Sequence, residues 1–371
     1  MNPLFPAIFL AAASVFAANA SELPPYTVLP PSEGPTVTSG SVTTYSVVAE
    51  PLGSDVIVTV CTPDGYQASR PEGYPVVYAH DGQNLFDPSK SFAGVAWELD
   101  ATAQKLIDEG KIEAPVIVGI YNRGALRPSD YFPEGALGFI PAADRELTYI
   151  FETCGGLFYG DGEARFVATQ LKPLIDSLYN TQPDRGNTFA MGSSMGALAS
   201  LCLMCEYPGV FGGAACLSTH WNGSLHLDGN YNLTDDPVCA AAILAYMEAR
   251  LPSPDGHRLY LDMGTLGWDA DNRPYEAEAV RIAESRGYSP AHGTLMVYDA
   301  AGAGHNEYFW QQRVDRPLCF LLGQSRESSL AGVVADDCGV TVVNLRGEIF
   351  PESARLPAGI YIRGRAKCLV R

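Results

Sequence analysis

The stretch Thr188-Phe189-Ala190-Met191-Gly192-Ser193-Ser194-Met195-Gly196 joins a short apolar run to a G-x-S-x-G motif, and a helix-period segment follows it. Small residues on both sides of the central serine allow a sharp turn, which holds Ser194 in a strained backbone conformation. Its hydroxyl is then exposed above the edge of a sheet. The stretch therefore predicts Ser194 as a nucleophile on a strand, turn and helix unit.

Apolar runs like the one before this motif recur along the chain and alternate with helix-period stretches. Strands buried on both faces are predicted at residues 76–79, 116–120, 188–191, 213–217, 259–263 and 295–298. Helices are predicted at residues 98–109, 163–178, 195–206 and 275–286. This alternation predicts an α/β fold with a mostly parallel central sheet and helices on both faces. An antiparallel pair of strands, residues 43–48 and 56–61, is expected at the sheet edge.

A serine hydroxyl needs a base to take its proton, and a histidine usually serves. His305 follows the last predicted strand, after a loop of small residues, so it is the predicted base. The orienting carboxylate should follow strand 259–263, in the chain order serine, acid, histidine. Asp269 and Asp271 both meet this condition. Asp262 within the strand is expected to be structural, and Glu307 lies beyond the histidine.

An oxyanion hole requires backbone N–H groups where negative charge develops on the substrate carbonyl. The N–H of Met195, directly after the nucleophile, is one predicted donor. The second is predicted in the loop that follows strand 76–79, from Gly82 or Gln83. His80 in the same loop is expected to shape the floor of the site.

Composition limits the classes of function. A chain of 371 residues with 47% hydrophobic residues can form one large core with small appendages. The net charge of −18 repels phosphate backbones and anionic lipid surfaces, so neither nucleic acid nor a membrane is an expected partner. Residues 1–20 carry no charged side chain and end in Ala18-Asn19-Ala20, which predicts a signal peptide and a secreted or periplasmic bacterial protein.

The remaining segments differ in composition. Residues 21–40 are predicted to be a Pro-rich extended leader, and residues 41–325 the catalytic domain. Within that domain, residues 221–256 are rich in Gly, Asn, Asp and Pro and are predicted to form a lid over the site. Residues 330–371 form a predicted β-type tail. Part of it, residues 343–361, resembles the C-terminal sorting tails of bacterial type IX secretion cargo, and a plain β-appendage is the alternative.

The nine cysteines do not by themselves define a redox or metal site. An odd number leaves at least one cysteine unpaired or paired between chains. Cys202 and Cys205 form a C-x-x-C, but they lie in an apolar run after the nucleophile turn, where packing is the expected role. Because no second C-x-x-C completes a zinc set, a metal site is not expected.

Several further motifs occur in a fixed order along the chain: Tyr78-Ala79-His80-Asp81-Gly82-Gln83-Asn84-Leu85-Phe86-Asp87, Trp97 with Asp100, Val118-Gly119-Ile120 with Asn122, Tyr207-Pro208 with Phe211-Gly212, Gly264-Thr265 before Asp269, and Gly304-His305-Asn306-Glu307 with Trp310. With the serine motif, they resemble the putative esterase (esterase D-like) family of α/β hydrolases over residues 40–322. That family includes feruloyl, acetylxylan and enterochelin esterases and mycolyltransferases.

The resemblance implies an α/β-hydrolase fold and a serine esterase that needs no cofactor. It assigns Ser194 as the nucleophile, His305 as the base and Asp269 as the acid. Two positions depart from the common family pattern, Ala197 in place of a second glycine and Cys61 in place of a frequent tyrosine, and neither belongs to the proposed triad.

The substrate is the least determined part of this prediction. Aromatic residues near the site are candidates for binding an aromatic acyl group or a sugar face: Trp97, Trp221, Trp268 and Trp310. The resemblance favours feruloyl or acetyl esters of plant polysaccharides. The alternatives are cleavage of siderophore esters, acyl transfer to an alcohol, and a non-catalytic carbohydrate-binding protein on a hydrolase scaffold.

Overall fold

The structure is a computed structural model that describes residues 23–230, residues 232–323 and four strands between residues 342 and 370. The chain forms two compact units, one up to Gln324 and one from Ser325 to Arg371. The predicted signal peptide and Cys338 lie outside the described residues. Among the described helices, none is both long enough and apolar enough to cross a membrane.

The first unit is built on a nine-stranded sheet with the spatial order β1-β2-β3-β5-β4-β6-β7-β8-β9. The strands are β1 (Tyr26–Val28), β2 (Ser41–Ala49), β3 (Ser54–Thr62), β4 (Val76–His80), β5 (Val116–Ile120), β6 (Thr188–Ser193), β7 (Gly213–Leu217), β8 (Arg258–Gly264) and β9 (Leu295–Ala300). From β5 across to β9 the strands run parallel, whereas β1, β2 and β3 are antiparallel. Every strand predicted from the sequence is present, and the predicted fold class is confirmed. The prediction that residues 295–298 are buried on both faces is wrong, because β9 is an edge strand on which Met296 and Val297 are exposed.

Helices connect the parallel strands. They are α1 (Leu99–Asp108), α2 (Arg127–Tyr131), α3 (Ile150–Thr153), α4 (Gly160–Phe166), α5 (Lys172–Leu178), α6 (Met195–Glu206), α7 (Pro237–Arg250), α8 (Trp268–Ser285), α9 (Glu307–Gln311) and α10 (Asp315–Leu322). A π-helical turn, Val167–Leu171, joins α4 to α5, so the helix predicted at residues 163–178 is interrupted.

Both faces of the sheet are covered, because alternate side chains of a strand point to opposite sides. On one face, Tyr78 and Leu261 belong to a large apolar cluster with residues of α4 to α8. On the other face, Val77 and Tyr260 pack with residues of α1 and α10. Burial on both sides explains why these strands are apolar throughout and do not alternate with polar residues.

The turn between β6 and α6 places Ser194 at the carboxyl edge of the sheet. Ser194 has φ 57° and ψ −125°, a backbone conformation that residues with side chains adopt rarely. A β-carbon on Gly192 would lie 2.3 Å from the carbonyl oxygen of Gly196. Glycine at position 192 is therefore required for the two arms of the turn to approach each other.

Two elements differ from the prediction. The Pro-rich leader, residues 21–40, contributes Tyr26–Val28, which pairs with β2 as an additional edge strand. Three residues are too few to show an alternating pattern. Helix α8 begins at Trp268 and not at residue 275, and it contains Pro274, a residue that usually interrupts a helix.

Part of the predicted lid is a regular crossover. Within residues 221–256, Pro237–Arg250 form α7, which connects β7 to the parallel strand β8. Its residues Ile243 and Tyr246 are buried in the core. Alanine and other apolar residues on most sides of this helix hide the helical period that would have revealed it. A lid role for residues 221–236 stays a prediction.

The second unit contains a four-stranded antiparallel sheet with the order β11-β10-β12-β13. Its strands are β10 (Val342–Asn344), β11 (Ile349–Phe350), β12 (Gly359–Arg363) and β13 (Ala366–Val370). The sorting role of this tail stays a prediction.

Candidate active site

Three loops at the carboxyl ends of neighbouring parallel strands bring together the residues predicted to form the triad. Ser194 follows β6, Asp269 lies in the first turn of α8 after β8, and His305 follows β9. In such a sheet the connections after the strands converge at one edge, where ligands bind. Residues separated by more than a hundred positions in the chain therefore meet in one place.

The three side chains form one continuous chain of hydrogen bonds. The Ser194 Oγ lies 2.7 Å from His305 Nε2, and His305 Nδ1 lies 2.6 Å from Asp269 Oδ1. In this network Nδ1–H donates to the carboxylate, which leaves Nε2 as the acceptor for the serine hydroxyl. The geometry fits a serine nucleophile, a histidine base and an orienting carboxylate.

The Asp269 carboxylate is fully buried, and its oxygens accept three hydrogen bonds. Besides His305, the donors are the Ser218 hydroxyl at 2.7 Å and the Gly264 N–H at 2.9 Å. Burial alone would raise the pKa of Asp269, but the hydrogen bonds and charge of His305, with the bonds from Ser218 and Gly264, lower it below its usual value. Asp269 is therefore held ionised beside the imidazole.

Ser218 links the acid to a buried ion pair. Its hydroxyl accepts hydrogen bonds from Trp310 Nε1 at 2.9 Å and from Arg313 Nη2 at 2.7 Å. Arg313 also donates to both carboxylate oxygens of Asp262, at 2.9 and 3.0 Å. Ser218 itself has φ 43°, a strained conformation of the kind that often occurs at functional sites. Neither Ser218 nor Arg313 was predicted as a site residue, although Ser218 directly follows a predicted buried strand.

The rival carboxylates lie elsewhere. Asp262 pairs with Arg313 at the end of β8, and the Ser218 N–H and the Tyr260 hydroxyl also donate to it. Asp271 points from the exposed side of α8. Glu307 begins α9, where Asn84 Nδ2 lies 3.5 Å from its carboxylate. Of these four carboxylates, only Asp269 is hydrogen-bonded to His305, and it lies in the first turn of α8.

The predicted oxyanion donors are backbone N–H groups at the starts of two helical segments. Met195 is the first residue of α6, and Gly82 and Gln83 open the 3-10 turn Gly82–Asn84 after β4. The first N–H groups of a helix have no acceptor within that helix, so these donors can serve a substrate oxygen. Gly82 packs directly on the backbone of Gly119, where an added β-carbon would lie 2.5 Å from the carbonyl carbon.

A second histidine, His220, lies beside the site. Its ring is fully buried, with the centroid 6.1 Å from that of His305, and the backbone N–H of His220 donates to the Ser194 carbonyl oxygen at 3.2 Å. His220 Nε2 donates to the Ser224 carbonyl at 2.7 Å. Burial, with the charge of His305, lowers the pKa of His220 to about 3, so this ring is neutral near pH 7.

The four candidate tryptophans do not share one location. Trp97 and Trp221 are buried, with 1% and 0% of their surface exposed, so they pack inside the protein and do not face a ligand. Trp310 packs edge-on against His305, with ring centroids 5.2 Å apart. Trp268 lines a cavity of about 360 Å³ beside His305, together with Leu266 and Phe309.

Six of the described cysteines lie in the core. Cys61, Cys154, Cys202, Cys205, Cys216 and Cys239 are buried free thiols, and burial raises the pKa of each. A buried neutral thiol packs as a small apolar group. In the part of the chain that the structure describes, no three His, Cys, Asp or Glu residues are grouped so that they could hold a metal ion.

The putative esterase family matches residues 49–321 of this sequence, a range that contains all three triad candidates. The chain belongs to the putative esterase family. This confirms the family that the motifs resemble, and the predicted enzyme class, an esterase. An uncharacterized protein of Bacillus subtilis (strain 168), YjcH, is 26% identical over 176 residues, which cover 47% of this chain and 60% of that relative.

Solved structures of similar fold include esterases. A ferulic acid esterase has a TM-score of 0.53 at 17% identity, over 76% of this chain and 98% of its own. The BES protein from Bacillus cereus has a TM-score of 0.53 at 16% identity, over 78% and 98%. An enterobactin esterase from Shigella flexneri has a TM-score of 0.51 at 16% identity, over 78% and 61%. At these identities the likeness establishes the fold.

The different contacts of Asp262 and Asp271 predict different effects on stability. Asp262→Asn removes the charge that compensates the buried Arg313, so it should lower the free energy of unfolding by about 3–5 kcal/mol. Asp271→Asn on the exposed side of α8 is the control and should change it by less than about 0.5 kcal/mol. Urea unfolding of both variants measures the difference. Equal stability of the two variants would contradict a structural role for Asp262.

Proposed function

We propose that this esterase hydrolyses carboxylic esters through an acyl-enzyme, with Ser194 as the nucleophile, His305 as the base and Asp269 as the orienting acid. The observation that carries the proposal is the unbroken chain of hydrogen bonds from the Ser194 hydroxyl through the His305 imidazole to the Asp269 carboxylate. No other described carboxylate contacts the Nδ1 of His305.

In the first half of the reaction, Ser194 Oγ attacks the ester carbonyl carbon while His305 Nε2 takes the hydroxyl proton. The imidazolium that forms is stabilised by Asp269, whose lowered pKa keeps it ionised. Negative charge on the carbonyl oxygen is stabilised by the N–H groups of Met195 and of Gly82 or Gln83. Collapse of this intermediate breaks the bond to the alcohol, which leaves with the proton from His305.

In the second half, a water molecule attacks the acyl group on Ser194. His305 Nε2 takes a proton from the water, and the same backbone N–H groups stabilise the second oxyanion. The bond to Ser194 Oγ then breaks, the serine recovers its proton from His305, and the carboxylic acid is released. His305 thus acts first as a base and then as an acid in each half, whereas Ser194 is the nucleophile in the first half and the leaving group in the second.

For the substrate, we propose an ester with an aromatic acyl group, such as a feruloyl ester of a plant polysaccharide. The support is the cavity beside His305, whose walls include the side chains of Leu266, Trp268 and Phe309. Flat apolar and aromatic walls bind an aromatic ring through burial and stacking. One fold neighbour is a ferulic acid esterase. Secretion is proposed with this substrate because residues 1–20 have the features of a signal peptide.

The triad assignment predicts that Ser194→Ala abolishes both hydrolysis of nitrophenyl acetate and labelling by a fluorophosphonate, because the nucleophile is lost. Asp269→Asn should lower kcat about 10⁴-fold, since the histidine tautomer is no longer fixed. Asp271→Asn is the matched control and should retain kcat within about twofold, at the melting temperature of the wild type. Retention of more than a tenth of kcat by Asp269→Asn, with a large loss in Asp271→Asn, would transfer the role to Asp271.

The substrate proposal predicts that Trp268→Ala lowers kcat/KM for methyl ferulate about tenfold, because roughly 1.4 kcal/mol of ring contact is lost. Release of acetate from acetylated xylan, which has no aromatic acyl group, should change less than twofold. Tyr308→Ala is the control, since Tyr308 is exposed and lies outside the cavity lining. A uniform loss with both substrates would argue against recognition of an aromatic acyl group by Trp268.

A histidine base also predicts the pH dependence. His305 must be neutral to accept the serine proton, so kcat/KM should fall in acid, where a protonated imidazole cannot act as the base. His220 cannot produce this decrease, because its pKa of about 3 keeps it neutral between pH 5 and 8. The pH at which kcat/KM falls should therefore be unchanged in His220→Asn. A rate that is constant from pH 5 to 8, with chemistry rate-limiting, would exclude the proposed base.

A further inference from the structure

The loop that carries the second proposed oxyanion donor begins with a residue in an unfavourable conformation. Asp81 follows β4 with φ 57° and ψ 47°, in the left-handed region that non-glycine residues adopt rarely. The 3-10 turn Gly82–Asn84 comes next, so the direction of the Gly82 and Gln83 N–H groups depends on the backbone of Asp81. Such a conformation persists only where surrounding contacts hold it.

A partly buried ion pair with Arg127 holds the side chain of Asp81. Arg127 Nε donates to one carboxylate oxygen at 2.8 Å and Arg127 Nη2 to the other at 2.7 Å, and Asn122 Nδ2 adds a third bond at 2.7 Å. Burial alone would raise the pKa of Asp81, but the charge and hydrogen bonds of Arg127 lower it below its usual value. Asp81 and Arg127 therefore form an ionised, bidentate pair.

Helix α2, which begins with Arg127, also holds the backbone of Asp81. Arg127 and Tyr131 lie four residues apart, so they share one face of α2. The Tyr131 hydroxyl accepts the Asp81 N–H at 3.1 Å, and the Arg127 guanidinium lies over the Tyr131 ring, 5.2 Å from its centroid. Tyr131 also packs with Met195, the other oxyanion donor. One face of α2 thus contacts both sides of the predicted hole.

The loop is also in contact with the nucleophile helix and the neighbouring strand. A β-carbon on Gly196 would lie 3.2 Å from Asp81 Oδ2, so the carboxylate lies against the first turn of α6. On the other side, the Asn122 N–H donates to Gln83 Oε1 at 3.3 Å. The loop after β4 is therefore fixed between α6 and the segment that follows β5.

We propose that Arg127 and Asp81 are positioning residues that set the geometry of the oxyanion hole relative to Ser194. Neither residue needs to touch the substrate. Oxyanion donors act because they are fixed in place before charge develops, and a displacement of a fraction of an ångström weakens them. The inference rests on the proposed function, because it assumes that Gly82 or Gln83 stabilises an oxyanion.

The test compares Arg127→Met and Arg127→Lys with the wild type, using nitrophenyl acetate and an aryl trifluoromethyl ketone that forms an oxyanion adduct with Ser194. We expect Arg127→Met to lower kcat about 10–100-fold with KM within twofold, because the hole acts in the transition state. Inhibition by the ketone should weaken by the same factor. Arg127→Lys keeps the charge but loses the bidentate contact, so it should fall between the wild type and Arg127→Met.

Arg123→Met is the matched control. Arg123 lies in the same segment and forms an ion pair with Asp130 of α2, with Nε 2.9 Å from the carboxylate, and it makes no contact with Asp81. Arg123→Met should change kcat and inhibition by the ketone less than threefold relative to the wild type. Kinetics are expressed per active site, titrated with a fluorophosphonate, and melting curves are recorded for each variant.

The outcomes separate the two proposals. If the wild type neither hydrolyses the ester nor is labelled at Ser194, the proposed function fails and this inference fails with it. If the wild type is active and Arg127→Met has normal kcat per active site with only a lower melting temperature, the pair is structural and the inference alone is wrong. A rise in KM limited to anionic esters, with kcat unchanged, would make Arg127 a substrate-binding residue instead.

Discussion

The buried carboxylate of Asp269 is the constraint on which the site depends. An ionised group without solvent must be satisfied by the protein, since an unpaired buried charge costs several kcal/mol. Here the imidazole of His305, the hydroxyl of Ser218 and the N–H of Gly264 meet that requirement. Each donor comes from the end of a different strand. The three hydrogen bonds to this one carboxylate therefore fix the relative positions of three loops.

The Ser218 hydroxyl extends this constraint into the core. It can donate one hydrogen bond and accept two, and Asp269, Trp310 and Arg313 use all three. Through Arg313 the network reaches Asp262, so the Ser218 hydroxyl and the Arg313 guanidinium link two buried carboxylates. The strained backbone of Ser218 is tolerated because these bonds would be lost if it relaxed. The contacts that hold Asp269 in place therefore also stabilise this edge of the sheet.

Prediction from sequence succeeded for elements that have a clear local pattern of apolar residues. The buried strands are continuous apolar runs, and α6 follows the serine motif without a break, so these elements were predicted close to their observed bounds. It failed where the local signal conflicts with tertiary packing. Helix α8 contains Pro274 in its second turn, α7 is apolar on most sides, and β1 is only three residues long. In each case, tertiary contacts decide the structure and the local pattern does not.

The sequence by itself determined the fold class and predicted Ser194 and His305 as the nucleophile and the base, because a turn or loop of small residues after an apolar strand leaves few places for either. It left Asp269 and Asp271 open as candidate acids, since both satisfy the same chain order. Only the tertiary structure separates their positions: on a helix, residues two positions apart face different directions, so Asp269 points inward to His305 and Asp271 outward. Ser218, Arg313 and the pair of Asp81 with Arg127 were also decided only by the tertiary structure, because their partners lie 40 or more residues away and nothing in the local pattern records a contact across the fold.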